Sequence, residues 1–181
     1  MNRVSIYLLA AALFVGLLSS CVSEDESSEV IHQRDVKAIQ DFVEATDIPY
    51  TRKVEVGNSG ITLLFTEEEE SGVAPVEGDS LMVNYTGRFL DGRVFDTSIE
   101  QIARDNNMYN QSRDYQPFPI ALGYSQVIPG WHHALYQMKE GEKATALIPS
   151  AWAYGPSGRA PTIGPNTVLA FDLELVEVKK R

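Results

Sequence analysis

The chain offers little for nucleophilic or metal chemistry. It holds one cysteine and three histidines, too few for a thiolate-cluster zinc site or a histidine-built metal centre. His132 and His133 are adjacent. On a helix they point about 100° apart and cannot chelate from one face. No Ser–His–acid arrangement has motif context. Gly155-Pro156-Ser157-Gly158 lacks the strand, helix and lysine of a phosphate loop. The chain also holds aromatic rings, among them Tyr85, Phe95, Phe118, Trp131, Tyr154 and Phe171, and acids such as Asp96, beside Phe95. Sequence alone makes such rings ordinary core, and Asp96 a turn residue next to Thr97-Ser98. They do chemistry only if the fold turns them toward one cavity. No cofactor and no metal are expected.

The elements that must position them are legible as patterns. The 181 residues are 44% hydrophobic, enough for one domain with a real core. From Arg52 onward the apolar period is two. Ile61 to Thr66 reads as a strand, followed by an exposed acidic turn, Glu67 to Glu70. Leu81, Val83, Tyr85 and Phe89 share one face of another strand, and Leu90-Asp91-Gly92-Arg93 signals a hairpin. Phe118, Ile120 and Leu122 alternate, as do Leu169, Phe171, Leu173 and Leu175. One short helix is expected over about Pro129 to Lys139, with proline at its start and Gly141 past its end. The sum is an α+β domain, residues 52–181: an antiparallel, twisted β-sheet wrapped on one short α-helix.

Ahead of the domain lie an address, a tether and a helix. Arg3 precedes an apolar run from Val4 to Leu18, then Ser19, Ser20 and Cys21. This is the layout of a signal peptide over residues 1–20. Fifteen residues at 1.5 Å each reach only about 22 Å, short of a ~30 Å hydrocarbon core. Leu18-Ser19-Ser20-Cys21 resembles the lipobox of bacterial lipoproteins, in which the cysteine is acylated and becomes the N-terminus. That resemblance implies a membrane partner through lipidated Cys21, and a lipid-anchored place in the cell envelope, at the outer membrane, facing periplasm or surface. Residues 21–28 then form an acidic tether. Residues 29–51 hold an amphipathic helix, about Glu29 to Ala45, ended by Asp47-Ile48-Pro49. The apolar stripe Ile31, Val36, Ile39, Phe42 and Val43 needs a cover: the domain, a second copy or another protein. The net charge of −10 argues against a nucleic-acid partner. A monomer is expected by default.

Several motifs stand in order: Val83-Asn84-Tyr85-Thr86-Gly87, Asp91-Gly92, Val94-Phe95-Asp96-Thr97-Ser98, Pro117-Phe118 and Val127-Ile128-Pro129-Gly130-Trp131. Gly141-Glu142-Lys143, Ile148-Pro149, Ala153-Tyr154-Gly155 and Val168-Leu169-Ala170-Phe171-Asp172-Leu173-Glu174-Leu175 complete them. Together they resemble the FK506-binding-protein (FKBP) type of peptidyl-prolyl cis-trans isomerase. The resemblance covers about Val76 to Lys179. It implies an apolar pocket for proline with Trp131 as floor and Tyr85, Phe95, Phe118, Val127, Ile128, Ile163 and Phe171 around it. It implies catalytic roles for Asp96, Tyr154 and Phe171. Tyr154 and the Ile128 N–H would donate to substrate carbonyls. It implies proline-containing polypeptides as partners, here exported proteins. The other reading is a non-catalytic binding module, an accessory lipoprotein of an envelope machine such as gliding motility.

The sequence departs from the family pattern in three places. Residues 99–116 are an insertion beside the expected pocket, rich in Asn, Gln, Arg and Asp. Arg159 and Thr162 stand where better-known members carry His and Ile, which implies weakened binding of macrolide inhibitors. Ile120 stands in place of an aromatic residue, which would enlarge the pocket.

Overall fold

A computed structural model of the chain describes residues 27–181. The expected signal peptide, Cys21 and most of the acidic tether lie outside the described residues. Helix α1 spans Ser28–Ala45, and the Ser27 hydroxyl caps it by accepting from the Val30 N–H at 3.3 Å. The strands are β1 (Arg52–Glu55), β2 (Thr62–Glu67), β3 (Ser80–Phe89), β4 (Val94–Thr97), β5 (Phe118–Ala121), β6 (Lys143–Ile148) and β7 (Leu169–Lys179). Helix α2 is Glu100–Asp105 and helix α3 is Pro129–Leu135.

All strand pairs are antiparallel, in the order β1-β2-β6-β7-β3-β4, with β5 paired to β3. The expected α+β architecture is therefore observed. The expected hairpin joins β3 to β4, with Gly92 at φ +88°. That backbone favours glycine, which carries no Cβ. Leu81, Val83, Tyr85, Leu169, Phe171, Leu173 and Leu175 face α3 and form the main core with Trp131, Ala134 and Leu135.

Helix α3 is shorter than its apolar spacing suggested. After Leu135 the hydrogen bonds tighten to i−3: Gln137 N–H to Ala134 C=O and Met138 N–H to Leu135 C=O. Met138 is still buried, in the main core.

The cover for the α1 stripe is the domain itself. Ile39 is 1% exposed and packs with Leu64, Leu147 and Ala170, flanked by Phe42 and Val43. This explains why β2 is buried at four successive residues instead of alternating. Leu63 and Phe65 face the main core, and Leu64 faces α1. Sheet positions on the far side from α3 thus have an apolar neighbour. Asp35, also buried on α1, accepts hydrogen bonds from the Ser150 N–H (2.9 Å) and the Ser150 hydroxyl. Arg34 donates to the Asn166 carbonyl at 3.1 Å. The helix therefore holds both ends of the segment between β6 and β7.

Truncating Ile39→Ala removes buried methyl groups with no route for the sheet to collapse, so stability should fall by about 2–4 kcal/mol. Urea unfolding followed by circular dichroism measures it. An unchanged midpoint would mean α1 is not part of the cooperative unit.

Candidate functional site

The rings gather around Trp131. Pro129 sits in the first turn of α3, where its missing N–H costs nothing, and Trp131 follows on the face turned to the sheet. Its ring meets Tyr85 at 5.0 Å, Phe171 at 5.3 Å and Phe118 at 6.3 Å between centroids, each near edge-to-face. Phe95 meets Phe171 at 5.6 Å and 87°. Such pairs prefer edge-to-face geometry because a ring's positive rim seeks a negative face. Tyr85 and Phe171 come from neighbouring strands: Gly87 of β3 lies opposite Phe171 of β7. A Cβ on Gly87 would come within 2.6 Å of Phe95 and 2.8 Å of Phe171. The bare backbone there is what lets both rings approach β3 so closely.

These rings enclose a cavity of about 590 Å³ whose lining includes Tyr85, Phe95, Phe118, Val127, Ile128, Trp131 and Phe171, with Asp96 and Tyr154 among its polar groups. Nine of the sequence-predicted site residues thus meet at one cavity. Trp131 is 5% exposed, while Phe118 at the mouth is 41% exposed. Trp131 Nε1 is buried with no hydrogen-bond partner among the described residues. Ile163 does not line this cavity. It is buried beside it, on a second hollow that shares Phe95, Asp96 and Arg159 with the first. Ile120 is 1% exposed, belongs to the core and does not reach the lining. Its smaller side chain therefore does not enlarge the pocket.

The polar groups form two clusters on the rim. Asp96, on β4, accepts from the Tyr85 hydroxyl at 2.8 Å through Oδ2. Its Oδ1 accepts from Arg113 Nη1 at 2.6 Å and from the Thr97 N–H at 2.9 Å. Arg113 Nη2 also donates to the Tyr85 oxygen at 2.8 Å, so the tyrosine donates to one group and accepts from the other. Burial foremost, then the Asp96 charge, pushes the Tyr85 hydroxyl up to about 12, with Arg113 pulling the other way. In the second cluster Arg159 Nη1 donates to the Tyr154 oxygen at 3.1 Å. The Tyr154 proton has no acceptor among the described residues and is free to donate into the cavity.

Arg113 was not legible as a site residue. It lies in the expected insertion, residues 99–116, in a run where one more arginine carries no spacing signal. The insertion contains α2 and folds on itself. Tyr109 and Tyr115 stack at 5.7 Å, and Arg104 lies 3.5 Å over the Tyr109 ring. The Arg113 N–H bonds to the Asn110 carbonyl at 3.0 Å. On the opposite rim, the Gly123 N–H donates to His132 Nδ1 at 3.1 Å, so Nε2 carries the proton and donates to the Ser125 carbonyl at 3.0 Å. His132 thereby holds the loop leading to Val127 and Ile128. Among the described residues no three His, Cys, Asp or Glu side chains are grouped to hold an ion.

The sequence matches the FKBP-type peptidyl-prolyl cis-trans isomerase family over residues 72–176. The chain belongs to that family. It is 36% identical over 149 residues to a probable FKBP-type peptidyl-prolyl cis-trans isomerase FkpA of Neisseria meningitidis, covering 81% of this chain and 49% of that protein. It is 34% identical over 140 residues to peptidyl-prolyl cis-trans isomerase FKBP2 of Bos taurus, covering 77% of this chain and 86% of the relative. Among solved structures it is similar to FkpA from Escherichia coli, with a TM-score of 0.60 at 31% identity, covering 82% of this chain and 59% of that one. A peptidyl-prolyl cis-trans isomerase from Pseudomonas syringae pv. tomato gives a TM-score of 0.59 at 29% identity, covering 82% and 96%. The chain thus spans about half the length of the Neisseria relative and most of the bovine one.

In this FKBP domain the buried tyrosine gives a pH signature. The fold holds Tyr85 neutral, while an unfolded tyrosine ionises near pH 10. Its contribution to stability is full below pH 10 and is lost as pH rises through about 12. Ultraviolet titration of the parent against Tyr85→Phe should show the missing tyrosine in the last step, near pH 12. A difference centred at pH 10 would contradict the burial and the Asp96 contact.

Proposed function

We propose that the protein catalyses cis–trans isomerisation of Xaa-Pro bonds in exported polypeptides. The observation that carries this reading is one apolar cavity, ringed by Trp131, Tyr85 and Phe171, with donors at its edge and no nucleophile. An amide resists rotation because resonance gives its C–N bond double-bond character, a barrier of ~18–20 kcal/mol. Twisting breaks the resonance and lowers the charge separation. Water favours the planar, more polar form. An apolar pocket withholds that solvation and so favours the twisted form. A 10⁴-fold acceleration needs roughly 5–6 kcal/mol of such difference.

The residues divide the work. The proline ring lies against Trp131, and the walls exclude water from the rotating bond. Tyr154 donates its free proton to a substrate carbonyl, with its oxygen held by Arg159. The Ile128 N–H, which has no protein acceptor among the described residues, donates to another. Asp96, fixed by Tyr85 and Arg113, faces the carbonyl of the twisting amide. Phe171 closes the wall beside Trp131.

Similarity to the FkpA proteins supports a place in the cell envelope. We place the anchor at Cys21, on the sequence pattern before it. In the native bacterium, metabolic labelling with palmitate should mark the parent and not Cys21→Ser. Equal labelling of both would remove the anchor.

Activity is tested with a short Xaa-Pro peptide followed by exchange NMR on the purified protein. Tyr154→Phe loses one transition-state hydrogen bond and should be slowed about 5–10-fold. Trp131→Ala and Asp96→Ala should be slowed more, with folding checked by circular dichroism. A folded parent that accelerates nothing would favour partner capture through the same rim.

A further inference from the structure

The second hollow lies on the Asp96 side of the main cavity and has a volume of about 290 Å³. Its character differs from the first. Phe95 and Ile163 supply apolar wall, while Asp96, Arg113, Arg159 and Thr162 supply polar groups. It therefore holds two guanidiniums and one carboxylate, in a chain whose net charge is −10.

The charges do not cancel evenly. Arg113 and Asp96 are paired at 2.6 Å, and Arg113 also bonds to Tyr85. Among the described residues the Arg159 guanidinium has one hydrogen-bond partner, the Tyr154 hydroxyl at 3.1 Å. Its Nε and Nη2 have no acceptor among the described residues. The carboxylate that acts on Arg159 is Asp96, which Arg113 already engages. One exposed cation thus lines the hollow with no salt bridge of its own among the described residues. Guanidinium meets carboxylate with a planar fork of donors, so it recognises an acid by shape as well as charge.

We propose that this hollow is a specificity subsite that takes an acidic side chain on the residue preceding the proline, with Arg159 as the recognising group. The inference rests on the isomerase reading. With the proline ring at Trp131, the rotating bond lies at Asp96, which lines both cavities. The side chain of the preceding residue then enters the second one. A glutamate there meets the open Nε and Nη2 of Arg159, with its stem against Phe95 and Ile163. A lysine meets two like charges.

The test compares tetrapeptides with Glu, Gln or Lys before proline, assayed by exchange NMR so that no coupling protease imposes its own preference. Glutamate and glutamine have the same shape, so their ratio reads charge alone. For the parent, kcat/KM for Glu-Pro should exceed Gln-Pro about three- to fivefold and Lys-Pro about five- to tenfold. The ratios should shrink as salt is raised from 10 mM to 1 M. Arg159→Gln, which can still donate to Tyr154, should bring Glu:Gln close to one. Arg159→Lys should keep part of the preference. A parent ratio near one, or a ratio that survives in Arg159→Gln, overturns the subsite. If no peptide is accelerated, the isomerase reading fails by itself. The subsite is then decided by the Glu-Pro against Gln-Pro dissociation constants from NMR titration, where equal values overturn it.

Discussion

The pairing of β3 with β7 is the constraint on which the rest of the molecule depends. The two longest strands run antiparallel from Ser80↔Lys179 to Phe89↔Leu169. That register sets Tyr85 opposite Leu173 and Gly87 opposite Phe171. Strand side chains alternate, so a slip of one residue would leave Tyr85 and Phe171 on opposite faces of the sheet. The bulge between Met82 and Val83 is absorbed before the site begins. With this pairing fixed, α3 has one apolar face to dock on. Trp131 then arrives against rings that two other strands have already placed.

The site separates two kinds of environment that a single pocket would blur. The centre is aromatic and withholds solvation. The rim on the Asp96 side is polar and tightly paired. Asp96, Tyr85 and Arg113 satisfy one another, and each fixes the orientation of the next. A carboxylate at the mouth of an apolar cavity is expensive to hold without such partners. Residues 99–116 supply the arginine, so this segment completes the rim of the pocket.

Helix α1 links this site to the other face of the sheet. Asp35 holds Ser150, at the start of the short 3-10 helix Ser150–Trp152 that leads to Ala153 and Tyr154. Arg34 holds the Asn166 carbonyl at the other end of the same segment. The loop that carries Tyr154 and Arg159 is thus pinned from behind. Loops are ordinarily the least stable part of a domain. Here the loop is anchored by the buried Asp35 carboxylate and the exposed Arg34 guanidinium, and the stability of α1 bears on the geometry of the rim.

By itself the sequence determined the strand pattern, the hairpin at Gly92 and the helix α1. Local periodicity and turn chemistry carry that information, because each depends on residues a few positions apart. It also carried the family motifs, and with them nine of the residues that line the cavity. Only the tertiary structure decided what covers the α1 stripe, because Leu64, Leu147 and Ala170 come from three strands distant in the chain. Only it brought Arg113 to Asp96, 17 residues away and across an insertion with no periodic signal. It moved Ile163 to the second hollow and sealed Ile120 in the core, since pocket lining depends on which neighbours stand in front of a side chain. It also stopped α3 at Leu135, where the apolar spacing continues but the hydrogen bonds tighten into a turn. Spacing along a chain fixes which face a residue takes. What that face meets is set by elements far away in sequence.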